Sequence, residues 1–335
     1  MAVTITDVAR CAGVSKTTVS KFLNGGNVQS ENRINIVRAI EKLHYRPNYI
    51  AQGLRKSRTF MVGFLVPTLN ALYTSTIISK AETLLEQNGY GVFVCDCQGG
   101  KEQELKKLDF LCDRRPDGLV ILPSFLQAAD LARARDLSIP IVLLDKPVQG
   151  FAADAILLDN RAAAAGAIRY LLDQGHRRIA MLCGGRGVFT VDERRAGFDA
   201  AFAERGLTPD ESLIRYDDFT MKPAYRSTLE LMKSDSPPTA LFATNYDTTL
   251  GAIMAINRLG LNIPEDLSVV GFDNILLSEL IKPSLTMINQ PMEDMAFSLV
   301  ELLLRRMNGN YGGFPQTILL SAKLEIHKSV GPPRA

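Results

Sequence analysis

The chain has 335 residues, of which 46% are hydrophobic and 22% charged, as in globular proteins of two or three structural units. No apolar run is long enough to span a bilayer, and the first residues lack the apolar stretch of a signal peptide. We therefore expect a soluble cytoplasmic protein without a membrane partner. The five cysteines form no CxxC pair and only three histidines are present, so we predict free thiols, no metal site and no cofactor.

Charge is unevenly divided along the chain. Residues 1–58 carry ten Lys/Arg and three Asp/Glu, whereas the remaining residues carry 28 and 33, so a basic head precedes a mildly acidic body. This distribution is typical of proteins that read nucleic acids. A solvated basic arm without a partner would carry the same charge, so charge alone leaves both interpretations open.

Two short helices are predicted at the start of the head. The first covers about residues 5–12, because Thr4 and Asp7 form a capping-box pattern and Gly13 favours a helix end. The second begins after Ser15, a good N-cap residue. A glycine-containing turn of about three residues between two helices predicts a helix-turn-helix unit.

A third helix is predicted from about Ser30, and Pro47 prevents its continuation. Its apolar residues recur at three-residue spacing and are expected to face the core: Ile34, Val37, Ile40 and Leu43. The second helix has a polar face of lysines and hydroxyls, which suits phosphates and base edges. A three-helix protein-interaction module is the alternative.

The segments 4-TITDVARCAGVSKTTVSKFLNG-25 and 45-YRPNYIAQGL-54 resemble the DNA-binding head of the LacI/GalR family of bacterial regulators. The resemblance implies a homodimer on a pseudo-palindromic double-stranded DNA operator. It also implies the DNA contacts Thr4, Ser15, Lys16, Thr17, Ser20, Lys21, Asn24, Asn32, Asn48, Ala51, Leu54 and Arg55. The family commonly has arginine at the position of Lys21, and a lysine there loses the bidentate fork, which alters the operator contact.

Residues 47–59 form a basic connector with one large aliphatic residue, Leu54. A helix this short is not stable alone in water, so we expect it to order only when two copies meet on DNA. The resemblance implies that Leu54 enters the minor groove as a wedge. The alternative is that Leu54 covers the surface of the body.

The body alternates short apolar runs with amphipathic segments, which predicts parallel sheets covered by helices on both faces. Expected strands are 60–67, 90–96, 118–123, 140–145, 178–184, 239–244 and 267–273. The second half repeats the pattern of the first, which predicts two α/β lobes with a ligand crevice at the carboxyl ends of the strands. The predicted boundaries are 1–46 for the head, 47–59 for the hinge and 60–328 for the body, with one lobe at about 60–160 and 291–320 and the other at about 161–290.

Polar residues follow several of these strands. Asp145 and Asp273 each end a strand, Asn245 follows a third, and Arg194 opens a helix. Taken singly, Asp273 could be a helix N-cap and Arg194 half of a surface ion pair. Four convergent groups, with Tyr73 as a flat face, instead predict a site that clasps hydroxyls or a carboxylate.

The body resembles the effector domain of the same family, whose fold is like that of periplasmic sugar-binding proteins. The resemblance implies an effector site formed by Leu72, Tyr73, Asp145, Thr190, Arg194, Phe219, Asn245 and Asp273, with Gln290 and Met292 as weaker candidates. The family often has aspartate after the matched asparagine, but here the residue is Tyr246, which suggests a different ligand.

The sequence therefore predicts an all-α helix-turn-helix head, a two-lobed α/β body and a transcriptional repressor controlled by a sugar or sugar acid. Three alternatives remain: a cytoplasmic sugar-binding or sugar-processing protein of this fold, a solute-binding protein for transport, and a DNA binder without sequence preference. No motif of a hydrolase, dinucleotide enzyme or metalloprotease is present, so we predict that the protein is not an enzyme.

Overall fold

The N-terminal unit, Met1–Phe60, is helical. The computed structural model describes residues 3–23, 25–45, 58–273, 278 and 280–334. Helices of this unit are α1 (Ile5–Ala12), α2 (Lys16–Leu23) and α3 (Ser30–Leu43). They lie at the positions predicted from the sequence.

Local chemistry fixes both ends of α1. The Thr4 backbone N–H donates to Asp7 Oδ2 at 2.9 Å and the Thr4 hydroxyl donates to the same oxygen at 2.7 Å, as in a capping box. Gly13 follows the helix with a φ of 67°, a left-handed conformation that costs glycine little. The turn brings Val8 of α1 and Val19 of α2 into one core, where both are fully buried.

Two of the four α3 residues that were predicted to face the core do not face it. Ile34 and Val37 are exposed, whereas Ile36 and Ala39 are buried and Ile40 packs against them. Because an α-helix turns about 100° per residue, three-residue steps drift around the axis by about 60° each. Burial follows the four-residue spacing of Ile36 and Ile40 instead. The predicted hinge at 47–59 lies outside the described residues, except for its last two positions.

The second unit, Met61–Ala335, contains two sheets of matching topology, each of six strands within the described residues. The first sheet has the order β11-β5-β4-β3-β1-β2 and parallel pairing throughout. Its strands are β1 (Met61–Val66), β2 (Gly91–Asp96), β3 (Gly118–Ile121), β4 (Ile141–Leu144), β5 (Asp154–Leu158) and β11 (Thr317–Leu320). We call this sheet and its helices the first lobe.

The second lobe is built on a sheet of order β12-β10-β9-β8-β6-β7. Its strands are β6 (Ile179–Cys183), β7 (Ile214–Tyr216), β8 (Ala240–Ala243), β9 (Ser268–Phe272), β10 (Thr286–Asn289) and β12 (Lys323–Glu325). The sheet is parallel, as predicted, except at its edge, where β12 pairs antiparallel with β10. Only two residues separate β11 from β12, which is too few for a crossover helix. β12 therefore runs in the direction opposite to the other strands of the second sheet.

Helices flank both sheets. Those of the first lobe are α4 (Leu72–Gln87), α5 (Lys101–Asp113), α6 (Ala132–Asp136) and α11 (Met292–Met307). Those of the second are α7 (Asn160–Asp173), α8 (Phe189–Ala203), α9 (Met221–Met232) and α10 (Tyr246–Leu259). In the described ranges, none of the helices combines the length and apolar character needed to cross a membrane.

The chain passes between the lobes at three places in the described part: from β5 to α7, from β10 to α11, and from β11 to β12. Within each lobe the strands at these crossings are neighbours at one edge of the sheet, β11 beside β5 and β12 beside β10. All three crossings therefore lie at the same side of the body. The second lobe accordingly includes residues 323–325, beyond the range expected for it.

Glycines allow two helix pairs of the second lobe to pack closely. A Cβ on Gly197 of α8 would lie 2.2 Å from the Arg161 carbonyl oxygen of α7, and one on Gly251 of α10 would lie 2.4 Å from the Met221 carbonyl oxygen of α9. A side chain at either position would push the helices apart. The helix pairs α7–α8 and α9–α10 position the loops that line the crevice between the lobes.

One ion pair is buried in the first lobe. Arg306 and Asp154 are 2% and 0% exposed, and Arg306 donates from Nε to Asp154 Oδ2 at 2.6 Å and from Nη2 to Oδ1 at 3.0 Å. Arg306 Nη1 also donates to the carbonyls of Asn310 and Gly312, and the Gln316 backbone N–H donates to Asp154. The pair thus ties α11 to β5 and to the loop that leads into β11.

We expect Asp154→Ala to lower the free energy of unfolding by about 3–5 kcal/mol, because it leaves a buried guanidinium without its counter-charge. Urea denaturation followed by circular dichroism measures this change. The control is Glu204→Ala, which breaks the exposed pair with Arg169 and should have a much smaller effect. Equal losses in the two variants would contradict the importance of the buried pair.

Candidate functional sites

The face of α2 that was predicted to read DNA is exposed. Lys16, Thr17 and Lys21 are exposed and Ser20 is half-buried, whereas Val19 on the opposite side is fully buried. One side of the helix therefore holds the unit together, and the other presents two cations and a hydroxyl. Such a face at a helix N-terminus suits anionic phosphates as well as base edges.

Two of the predicted contacts are also structural. The Ser15 hydroxyl accepts from the Thr18 backbone N–H at 3.0 Å and lies 2.8 Å from Thr18 Oγ1, so it caps α2. The Thr4 hydroxyl binds Asp7. Asn32 is half-buried in the first turn of α3. The other predicted contacts lie outside the described residues: Asn24, Asn48, Ala51, Leu54 and Arg55.

A cavity of about 300 Å³ opens between the two lobes, at the carboxyl ends of their strands. All nine residues predicted for the effector site line it: Leu72, Tyr73, Asp145, Thr190, Arg194, Phe219, Asn245, Asp273 and Gln290. Met292, at the start of α11, does not. Both lobes contribute to the wall, so a ligand in this cavity would contact both.

Asp145 and Asp273 occupy corresponding positions in the two lobes. Asp145 follows β4 and donates its backbone N–H to the Ile156 carbonyl of β5 at 3.0 Å; Asp273 follows β9 and donates to the Ile288 carbonyl of β10 at 2.8 Å. Their φ values are 73° and 64°, in the left-handed region that aspartate tolerates better than most residues. This turn at the end of each strand directs both residues to the crevice.

Arg194 is 5% exposed and is fixed within the second lobe. Its Nε donates to Asn160 Oδ1 at 2.8 Å, its Nη1 donates to the Thr244 carbonyl, and its guanidinium lies 3.9 Å from the centre of the Phe272 ring. Among the described residues, no acceptor binds Nη2. The surface ion pair considered for Arg194 is therefore wrong, because the side chain is buried and Nη2 is left for a ligand.

The carboxylates of the cavity are poorly solvated. Burial raises the pKa of Asp145, and it raises the pKa of Asp273 to about 6, although the Arg194 charge and the Gln290 hydrogen bond act in the opposite direction. Gln290 Nε2 donates to Asp273 Oδ1 at 2.8 Å. Gln290 Oε1 is buried and accepts no hydrogen bond within the described part. A ligand with donor groups would satisfy these oxygens.

Phe219 forms a flat wall of the cavity over a glycine. A Cβ on Gly184 would lie 2.3 Å from the Phe219 ring, so the ring rests directly on the backbone after β6. Phe219 has a φ of 63°, a costly conformation for a large side chain, of the kind that clusters at binding sites. The glycine-rich segment after β6, read from the sequence as turn chemistry, thus also makes room for this ring.

Asn245, predicted as a ligand-binding residue, also has a structural role. Its Oδ1 accepts from the Thr248 backbone N–H at 2.9 Å, which caps α10, and its Nδ2 donates to the Phe219 carbonyl at 3.0 Å. The amide lines the cavity, but it also holds the strained Phe219 loop in place. Its tie to Phe219 could not be read from spacing, because the two residues lie 26 positions apart.

Further residues line the cavity without having been predicted: Pro67, Thr68, Ala71, Thr74, Leu122, Asp218, Thr220, Tyr246 and Asp247. They follow a strand by one or two residues or lie at the start of a helix. The signal that could have found them is their place in the loops at the carboxyl ends of the strands. In the sequence, Tyr246 stands out only as a departure from the family pattern.

Comparison with known proteins identifies the family of the chain. Residues 4–48 match the model of bacterial regulatory proteins of the lacI family, and residues 168–330 match that of the periplasmic binding protein-like domain. The transcriptional repressor PurR of Histophilus somni is 33% identical over 98% of both chains. The chain belongs to the LacI family. It is a DNA-binding transcriptional regulator with a ligand-binding body, and the resemblance inferred from its sequence is confirmed.

Solved structures agree with this assignment. The Lac repressor dimer bound to operator and the anti-inducer ONPF is 27% identical, with a TM-score of 0.85 over 98% of this chain and 99% of that one. The transcriptional regulator CelR in complex with cellobiose is 28% identical, with a TM-score of 0.73 over 98% of this chain and all of that one. The predicted fold class, a helix-turn-helix head on a two-lobed body, is likewise confirmed.

We expect the Asp273 carboxyl to titrate near pH 6 in carbon-13 NMR spectra, assigned by its absence in Asp273→Asn. Because the folded pKa lies above the ordinary value of 3.8, this group stabilises the fold fully below about pH 4, and the contribution is lost as pH rises through 6. Asp273→Asn should therefore gain stability relative to wild type between pH 5 and pH 7.5. A pH-independent difference would contradict the assignment.

Proposed function

We propose that this LacI-family protein represses transcription as a homodimer on a pseudo-palindromic operator, and that a small polyhydroxylated metabolite in the cavity controls its operator affinity. The supporting observation is that one cavity is lined by polar groups from both lobes. The related Lac repressor is a dimer on operator DNA, and the related CelR holds cellobiose. A sugar-like effector extends this pattern to the present chain.

Hydroxyl groups match the chemistry of the cavity wall. A hydroxyl oxygen can accept from Arg194 Nη2, and its proton can be donated to Asp145 or Asp273. Phe219 and Tyr73 offer flat apolar surfaces for the C–H face of a ring. Each group is held by the fold before the ligand arrives, which reduces the entropy lost on binding.

Coupling to DNA follows from contact with both lobes. A ligand that binds one lobe arrangement better than another shifts the body towards it, by as much as the affinities differ. The connector predicted at 47–59 precedes β1, so the lobe arrangement would set the separation of the points from which the two connectors of a dimer extend. Effector and operator would then be linked by one coupling free energy, and each would change the affinity for the other equally.

We infer that the ligand leaves the cavity chemically unchanged and that the protein acts in the cytoplasm, where its DNA is. Among the described residues, no group of His, Cys, Asp and Glu could hold a metal. His176 hydrogen-bonds Thr239 and Gly331 and does not line the cavity. Recovery of intact ligand after incubation with the protein tests this; conversion over several turnovers would contradict it.

Lys16→Ala should weaken binding to an operator selected from a random duplex pool, because the α2 face loses a cation at the DNA. The slope of log affinity against log salt should become shallower by about 1 if the lysine meets a phosphate. Fluorescence anisotropy measures both. Lys42→Ala, an exposed change in the last turn of α3, is the control. Sedimentation of the complex should give two chains per operator, and a one-to-one complex would contradict the dimer.

Asp145→Asn should raise the effector concentration needed for half-maximal response about tenfold or more, because it weakens a hydrogen bond to a charged, buried group. Among the described residues its carboxylate accepts no hydrogen bond, so the change breaks no internal hydrogen bond and removes only the attraction to Arg194 and Lys146. The effector would first be identified by a thermal-shift screen, and operator binding would then be titrated with it. Equal loss of operator binding and effector response would contradict the site.

A further inference from the structure

The cavity has an excess of negative charge. Four of its lining residues are carboxylates and one is a guanidinium: Asp145, Asp218, Asp247, Asp273 and Arg194. The neighbouring Lys146 does not line the cavity and donates to the Ser124 carbonyl at 2.6 Å, but its charge acts on Asp145 and offsets part of that carboxylate's charge. Residues 274–277 and 279, outside the described part, include no lysine or arginine in the sequence.

Helix N-termini offset only part of this excess. Four helices begin at the cavity, α4, α8, α9 and α10, and each contributes about half a positive charge at its first turn. With all four carboxylates ionised, about one negative charge remains. An anionic ligand would therefore be repelled, and the sugar-acid half of the expected effector class is disfavoured.

Arg194 does not provide a free anion-binding site. It is held by Asn160 and Thr244 and faces the charges of Asp273 and Asp145, so its charge is already balanced within the wall. Its Nη2 can still donate to a neutral hydroxyl oxygen. The guanidinium thus fits a polyol better than a second carboxylate in the same small space.

Like Asp145, Asp247 is a cavity carboxylate without a side-chain partner among the described residues, although the N-terminus of α10 favours its charge. It lies in the first turn of α10, beside Tyr246, and no described residue hydrogen-bonds or pairs with it, whereas Asp218 accepts from the Thr220 backbone N–H at 3.0 Å. Burial raises the pKa of Asp247. Deeper in the cavity, Asp273 is only 4% exposed, and its Oδ2 also lacks a partner among the described residues. The buried Gln290 Oε1 is a third acceptor without a donor.

We propose that the effector carries a protonated amine together with hydroxyls, as an amino sugar does, and that Asp247 receives the ammonium. This inference rests on the proposed function and specifies the ligand of the same site. An ammonium supplies three donors and the missing positive charge, and the hydroxyls reach Arg194 and Asp273. Asp247 directly follows Tyr246, where the sequence departs from the family pattern.

Ion-exchange behaviour of the natural effector tests the proposal even before the effector is identified. A small-molecule extract of the source bacterium would be separated at pH 7 on cation and anion exchangers, and each fraction assayed for its effect on the melting temperature and operator affinity of the full chain. We expect the active fraction to be retained by the cation exchanger. Activity in the unbound or anion-retained fractions would overturn the proposal while leaving the proposed function intact.

Two variants test whether Asp247 binds the positive charge of the effector. Asp247→Asn should raise the amount of active fraction needed for half-maximal response about tenfold or more, while Asp235→Asn, an exposed carboxylate of the same lobe, should respond as wild type does. An unchanged response of Asp247→Asn would overturn the assignment. An extract with no active fraction would overturn the proposed function, and this inference with it.

Matched compounds provide an independent comparison. Glucosamine is positively charged, glucose is neutral and gluconate is negatively charged, and the first and last each differ from glucose at one carbon. The corresponding galactose series gives the same comparison. Thermal shift should rank the amine above the neutral sugar and the neutral sugar above the acid. A preference for the neutral sugar or the acid over its amine, or no response to any amine, would overturn the amino-sugar assignment.

Discussion

Buried charge at the meeting of two lobes is the constraint on which the rest of the body depends. Asp145 and Asp273 end corresponding strands, turn through left-handed backbone and share one buried guanidinium, Arg194. Charges out of water are costly unless they are paired, so this arrangement persists only because the surrounding fold holds it. The cavity is therefore a region of stored electrostatic cost, which a ligand of suitable chemistry can relieve.

Much of this arrangement could be predicted from the sequence. Apolar runs marked seven strands, and polar residues directly after them, such as Asp145 and Asp273, were assigned to one crevice because parallel strands share an edge. The helix-turn-helix unit was equally accessible, since Thr4, Gly13 and Ser15 carry local capping signals. The sequence pattern was sufficient to predict those elements whose structure depends on residues close to one another in the chain.

The rest depends on contacts between distant residues. Five strands were not among those predicted, β5, β7, β10, β11 and β12, and their pairing is set by the sheet they join. The tie from Asn245 to Phe219 and the seat of Phe219 on Gly184 arise only when three loops meet. The inward stripe of α3 failed for a simpler reason: three-residue spacing does not follow one face of a helix.

The three chain crossings at one side of the body have a mechanical consequence. Two lobes joined along one edge can rotate about that edge, and the displacement of a residue then grows with its distance from the edge. At about 4.8 Å per strand, the loops after β4 and β9 lie roughly 10 Å from that edge, and those after β2 and β7 roughly 24 Å. Asp145 and Asp273 would thus move less than half as far as the loops at the opposite edge, and Phe219, which follows β7, would move farthest when the lobes open or close.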